Sequence, residues 1–391
     1  MPPNGPFPYR TLDSVEWKGK RLLVRIDINS PVEEGKARMS RRIQEHARTL
    51  QEFSKAKAKT VLLAHQGRPG DDDFTTLEQH ARLLSEASGL PVGYVNDVIG
   101  ERAKESIGKM KPGDVLLLEN VRTVPGETDA RTPEEHARGP LVRALAPGAD
   151  LYVNDAFPTS HRAHASVVGF SAVLPSVAGR LMERELRSLE KVRHPERPSL
   201  FLLGGAKPAD SFRVMKHLVK EKLVDKVLTC GVVGNIFLWA RAFQGSQFES
   251  FYDDAQLLAL WAEVPMDVAI EKEGERIEIP ADDVRAEHRA WDIGEKTIAR
   301  YKEEITRART IVVSGPAGKY EAPAFSKGTK ELFRAVARSS AYSVVGGGDS
   351  VTALESLGLS VESFSYVSLG GHALLDFLTG AKLPGVEILR A

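Results

Sequence analysis

The sequence predicts an α/β protein of two Rossmann-like domains, each a parallel sheet with helices on both faces, joined by a hinge helix. Three observations predict it. The chain has 391 residues, too many for one ordinary core and suited to two domains. Short apolar runs of strand length alternate with helical patterns in both halves. Between the halves lies 176–194, SVAGRLMERELRSLEKVRH, bracketed by Pro175 and Pro195. There Ala178, Met182, Leu186 and Leu189 recur as one helical face, and Glu183 stands four residues before Arg187.

Composition narrows the class. Apolar residues make up 42% and charged residues 27%, values of a soluble globular protein. Lys plus Arg and Asp plus Glu are both 53, so a general nucleic-acid or membrane-surface binder is disfavoured. Cys230 is the only cysteine, which excludes an intrachain disulfide and suits a reducing compartment. Neither a signal-peptide pattern nor a run of about 20 apolar residues occurs, and the expected location is the cytoplasm.

In the first half, strands are expected at Arg21–Asp27, Lys59–His65, Val92–Val95, Asp114–Glu119 and Asp150–Asn154, with helices near Ser40–Lys55 and Thr76–Ser88. Ligands of such sheets sit at the carboxyl ends of the strands. Those ends carry Asp27 and Asn29, then His65, Gln66, Gly67 and Arg68, then Arg122, then Asn154, Asp155 and Arg162, while Arg42 opens the first helix. Four arginines and a histidine converging there suit a ligand with several negative charges. His161 and His164 lack a third ligand and lie in a loop, which favours hydrogen bonding over a metal. His46 and His80 lie inside helical patterns and read as ordinary surface or packing residues, and Asp71–Asp73 as a solvated loop.

The second half repeats the plan with glycines. Strands are expected at Ser199–Leu203, Lys226–Thr229, Met266–Ile270, Thr310–Val313, Ser343–Val345 and Phe364–Val367, with a polar excursion over 271–290. Five of them end in glycine-bearing loops: Gly204-Gly205-Ala206-Lys207, Gly231, Gly315-Pro316, Gly346-Gly347-Gly348-Asp349-Ser350 and Gly370-Gly371. Glycine admits backbone N–H groups to a phosphate, and a helix N-terminus then favours its charge. Asp349 is placed either to meet magnesium on those phosphates or to cap a helix. No G-x-x-x-x-G-K-[ST], no H-R-D with D-F-G and no G-x-G-x-x-G after a first strand occurs, which argues against P-loop, protein-kinase and dehydrogenase readings.

VRIDINSPV, HQGRPG, LLLENVR, VNDAFPTSHRAHAS, GRLMERELRSL, LGGAKPAD, SGPAGKYE, VVGGGDS and KLPGV resemble the phosphoglycerate kinase family, in the family's order and over about residues 20–387. The wording is most similar to the archaeal branch. The resemblance implies a kinase moving phosphate reversibly between 1,3-bisphosphoglycerate with ADP and 3-phosphoglycerate with ATP, the nucleotides as magnesium complexes. It implies small-molecule partners only, no nucleic acid or membrane, and a monomer. It assigns residues 1–177 to phosphoglycerate, 178–194 to the hinge helix and 195–377 to nucleotide, with a tail from about 378 packing back on the first domain.

Carried over by motif, Asp27, Asn29, Arg42, His65, Gln66, Gly67, Arg68, Arg122 and Arg162 would hold the phosphoglycerate. Gly205, Ala206, Lys207, Pro316, Glu321, Gly347, Gly348, Asp349 and Ser350 would hold the nucleotide, with Glu321 toward the ribose and Asp349 on magnesium. Arg42 and Lys207 would be catalytic, and Gly370 and Gly371 would face the transferring phosphate. Departures gather on the nucleotide side: Ser211 where a Lys is common, with Arg213 or Lys216 as substitutes, then Ser314, Lys319-Tyr320, Leu369 and His372, plus Pro158 near the substrate arginines. Alternatives are a weakened relative that only binds phosphoglycerate, or a kinase of another carboxylic acid.

Overall fold

The computed structural model describes residues 7–242, 248–285 and 288–391. The described chain forms two compact units, one of Ser188–Ala381 and one of residues 7–187 with Lys382–Ala391.

The unit that holds Arg187 is built on a six-stranded parallel sheet. Its spatial order is Val92–Val95, Val115–Leu118, Lys59–Leu63, Arg21–Arg25, Leu151–Asn154, Ser176–Ala178. Alternate side chains leave opposite faces. Leu22, Val24, Leu62 and Val153 pack with Ile43, Leu50 and Phe53 of helix Arg41–Lys55. Leu23, Leu63, Leu116 and Tyr152 pack on the other side with Val142 and Phe170. Burial on both faces is why these strands read as continuous apolar runs. The tail joins this unit from Lys382, not from about 378: Gly385 N–H donates to Ser160 O at 2.9 Å, and Asn154 Nδ2 donates to Gly385 O at 2.9 Å.

The other unit has a six-stranded parallel sheet in the order Ala262–Glu263, Lys226–Thr229, Ser199–Leu203, Thr310–Ser314, Tyr342–Gly346, Tyr366–Val367. Leu200, Leu202, Ile311, Val313 and Val345 pack against helices Glu295–Arg307 and Lys327–Arg338. The expected strand Met266–Ile270 is corrected here. Asp267–Lys272 lies in a separate three-stranded antiparallel sheet with Glu275–Pro280 and Ala290–Ile293. Its turn is Glu273-Gly274, at φ 55° and 84°, a geometry that suits a tight hairpin. The parallel edge strand is instead the two-residue Ala262–Glu263, too short to leave a pattern.

The helix expected over 176–194, with a hinge from 178, is also corrected: it runs Arg180–Arg193. Ser176–Ala178 is a strand, because its backbone groups are used in pairing. Ala178 N–H donates to Arg10 O and Gly179 N–H to Asn154 O, each at 2.9 Å. Met182, Leu186 and Leu189 keep the buried face, and Arg187 meets Glu183 at 2.8 Å. The helix contains the boundary between the two units.

Candidate active site

In each sheet the first strand has partners on both sides from which the chain winds in opposite directions. The neighbours are Lys59–Leu63 and Leu151–Asn154 in one sheet, and Lys226–Thr229 and Thr310–Ser314 in the other. Such a switch point leaves a crevice at the carboxyl ends of the strands. The expected site residues fall at these two places.

Beyond Arg21–Arg25, Asp27 is 2% exposed. Arg42 Nη1 donates to its two carboxylate oxygens at 3.2 and 3.1 Å, and Asn29 N–H donates to Oδ1 at 3.0 Å. Burial alone would raise this carboxyl, but the Arg42 and Arg25 guanidinium groups and the Asn29 N–H outweigh it and hold it at about 2. Asn29 Oδ1 accepts from Gly67 N–H at 2.9 Å, which joins two strand ends. Gly67 has φ +63°, and a Cβ there would stand 2.6 Å from Phe74 N, so the turn needs glycine.

His65 is buried beside Arg25, whose Nη2 lies 3.0 Å from Nδ1. A guanidinium only donates, so Nδ1 accepts and the ring proton sits on Nε2. Burial, then Arg25, press its basicity well below the usual histidine range. His65 is therefore a neutral N–H donor. Arg68 is exposed, and Arg122 and Arg162 are half-buried. Burial, then Arg162, Arg25 and Arg68, bring Arg122 down to about 10. Burial and Arg68 lower Arg162 as well. Guanidinium groups that depress one another make a site of unbalanced positive charge, the setting an anion relieves.

Gln66 differs from expectation: its side chain faces inward. Oε1 accepts from Ser30 N–H at 2.8 Å and lies 3.0 Å from His80 Nε2, while Nε2 donates to Ser30 O at 3.1 Å and Asp73 O at 3.2 Å. Gln66 thus positions the loops and does not face a ligand. His46 and His80 are likewise buried, which selects packing over surface for both. Burial lowers His80 to about 4. Burial, then Arg162, lower His164 to about 3, and His161 Nε2 accepts from Arg162 Nε at 3.0 Å, so this pair serves the arginines.

In the glycine-rich unit, Gly204, Gly205, Ala206, Lys207, Ser314, Gly315, Gly347, Gly348, Asp349, Gly371 and His372 line one pocket of about 90 Å³. Gly315 has φ +94°, and a Cβ there would meet Gly204 O at 2.4 Å, so two loops touch only because this residue has no side chain. No atom lies within 4 Å of the positions a Cβ would take at Gly348 and Gly371, which leaves their backbone open to the pocket. Lys207 is the exposed N-cap of helix Pro208–Lys220.

Several expectations change in this unit. Asp349 is not the cap; Gly347 is, and Asp349 lies in the first turn of Gly348–Ser356 with its side chain exposed. Ser350 Oγ accepts from Gly315 N–H at 2.7 Å, so it braces the loops. Gly370 N–H donates to Ser368 Oγ at 3.0 Å, which leaves Gly371 as the pocket-lining member of that pair. Pro316 is buried, its carbonyl accepting from Gly205 N–H at 2.8 Å. Glu321 is exposed outside the pocket lining, beside Tyr320. Arg213 pairs with Asp376 at 2.9 Å and Lys216 with Asp254 at 2.7 Å, so neither replaces the charge missing at Ser211.

Sequence reading missed Arg25, Glu127 and Ser166. Arg25 Nε donates to Ser166 Oγ at 2.9 Å, and Ser166 Oγ donates to Glu127 Oε1 at 2.5 Å, all of it buried. Burial, against the pull of Arg25, raises Glu127 to about 7. The available signal was a charge inside an apolar strand, in RLLVRID.

The sequence profile described as "Phosphoglycerate kinase" matches residues 12–381. The phosphoglycerate kinase of Methanothermus fervidus is 42% identical, over 98% of this chain and 97% of that protein. That of Methanosarcina mazei is 44% identical, over 98% and 95%. Among solved structures, phosphoglycerate kinase from Pyrococcus horikoshii OT3 matches with a TM-score of 0.89 and 34% identity, over 97% of this chain and 98% of that one. The Coxiella burnetii enzyme matches with 0.85 and 32%, over 98% and 99%.

Proposed function

The chain belongs to the phosphoglycerate kinase family, and on that premise we propose how its own residues carry out the reaction. It is a kinase, transferring a phosphoryl group reversibly between 1,3-bisphosphoglycerate with ADP and 3-phosphoglycerate with ATP, a step of glycolysis and gluconeogenesis. The substrates are small molecules, and no described helix is long and apolar enough to cross a membrane.

The acceptor is a carboxylate, ionised at neutral pH because its pKa lies near about 3.5. No general base is required, and the protein's task is alignment and cancellation of negative charge. The crowding of Arg25, Arg68, Arg122 and Arg162 is the observation that carries the substrate assignment. Arg68, Arg122 and Arg162 bind the phosphoglycerate phosphate and carboxylate, with Asn29 and the Nε2–H of His65 fixing its pose. Arg42, held against Asp27, and Lys207, at the pocket mouth, stabilise the charge of the transferring group. The two bound substrates must meet out of water, since an acyl phosphate hydrolyses, and Arg180–Arg193 is the hinge that would permit it.

Gly347, Gly348 and Gly371 present backbone to the nucleotide phosphates, while Gly205 lines the pocket with its own N–H and carbonyl used in joining the loops. Magnesium fits this pocket: its usual donors are one or two carboxylates with substrate phosphates, and Asp349 and Asp210 both line it. No group of three or more His, Cys, Asp or Glu that could hold a metal occurs among the described residues, so the ion would arrive with the nucleotide. When bound, it would offset phosphate charge, with Asp349 as its protein ligand. The protein acts as a cytoplasmic monomer, as membership of this family implies.

Calorimetric titration of 3-phosphoglycerate tests the assignment. Arg122→Ala and Arg162→Ala should each weaken binding at least about tenfold, the scale of a lost charge-assisted hydrogen bond. Unchanged affinity in both would refute it.

A further inference from the structure

We propose that His46 is a positioning residue that links occupancy of the phosphoglycerate site to the start of helix Arg180–Arg193, an inference that rests on the substrate assignment above. Arg42 and His46 stand four residues apart, on one face of helix Arg41–Lys55. They hold Asp27 from two sides. Arg42 binds its carboxylate, and His46 Nε2 accepts from its backbone N–H at 3.1 Å. Because Nε2 accepts, the ring proton is on Nδ1. Nδ1 lies 3.3 Å from Asp155 Oδ2. Both residues are at most 1% exposed, and neither atom has a fully formed hydrogen bond.

A buried donor and acceptor left just short of a hydrogen bond gain free energy from a small shift that completes it. Asp155 delivers such a shift to a defined place. Its Oδ1 accepts from the N–H groups of Leu181 and Met182 at 2.8 and 3.0 Å, in the first turn of the helix that runs on to Ser188. Gly179 keeps room for this contact, since a Cβ there would stand 2.3 Å from Oδ1. The same two helices are fastened on either side of His46, by Glu45 with Arg184 at 2.6 Å and by Glu52 with Arg180 at 2.8 Å. An anion that draws Arg42 shifts the Asp27 segment that Arg42 holds, moves His46 with it, and through Asp155 tightens the helix start.

The test is amide hydrogen exchange at Leu181 and Met182 in the intact protein, with and without 3-phosphoglycerate, together with KM for each substrate. In the wild type the ligand slows exchange at both amides. His46→Leu fills the space without a donor or acceptor. It loses that response and raises KM for 3-phosphoglycerate about tenfold, the scale of one buried hydrogen bond, while KM for MgATP stays unchanged. His46→Gln, which keeps an acceptor and a donor, restores the response. Asp155→Asn keeps the capping oxygen, puts an amide against Nδ1–H, and loses the response, so the link is tested even if His46→Leu does not fold. A wild-type response and KM in His46→Leu or Asp155→Asn overturns the proposal alone. A wild type that binds no 3-phosphoglycerate overturns the substrate assignment and the proposal with it.

Discussion

Asp27 stays ionised inside the protein because cations surround it, and that charge keeps Arg42 in place. Arg42→Ala should lower kcat by about a hundredfold or more while the fold persists, the usual scale for a lost charge-stabilising group. A steady-state assay with an unchanged kcat would remove Arg42 from the transferring phosphate. Asp349→Ala should weaken MgATP binding about tenfold by calorimetry, and an unaltered affinity would count against the metal assignment. Glu127 gives a pH prediction. Its folded carboxyl titrates at about 7 against 4.5 unfolded, so the native state holds the extra proton. The contribution of Glu127 to stability is then fully present below pH 4.5 and is lost as pH rises to about 7, by about 3 kcal/mol at most. Glu127→Gln should flatten that slope in thermal unfolding from pH 5 to 8; the same slope in both proteins would contradict it. At this scale the sequence was readable where a polar residue ends an apolar run, as at Asp27, His65 and Arg122. It was unreadable where polar groups are used on each other inside, as with Gln66, Ser350 and the N–H of Gly370, because residue type does not tell an inward tie from a ligand contact.

Helix Arg180–Arg193 shows what makes an element legible. Its buried Met182, Leu186 and Leu189 and its Glu183–Arg187 pair announce it in sequence. Its start does not, because the cap is Asp155, which comes from the end of another strand. Ser176–Ala178 was taken into the helix for the same reason: a three-residue edge strand has too few side chains to show a period. Gly179→Ala should destabilise the protein by about 1–3 kcal/mol, since its methyl would displace Asp155 from the cap. Denaturant unfolding measures this, and a loss below about 0.5 kcal/mol would show that the cap adapts freely. The Asp267–Lys272 hairpin was misplaced because apolar character alone does not say which sheet a strand joins, and the Glu273-Gly274 turn was the cue.

Across the whole molecule, strand–helix alternation makes two doubly wound sheets readable, since each strand must be apolar on both faces and each crossover needs a helix. The switch points follow from strand order, which a sequence does not state, yet the polar residues at strand ends anticipated both. The altered turn at 369–372 bears on turnover. His372 lines the pocket next to Gly371, and His372→Gly should raise kcat if the imidazole crowds the phosphates, whereas a fall would make it a donor to them. The most direct measurement is a coupled assay supplying 3-phosphoglycerate, MgATP, glyceraldehyde-3-phosphate dehydrogenase and NADH. NADH oxidation that requires both 3-phosphoglycerate and MgATP is the predicted result. No oxidation from folded protein that still binds 3-phosphoglycerate would contradict the account and leave a phosphoglycerate-binding relative without kinase activity.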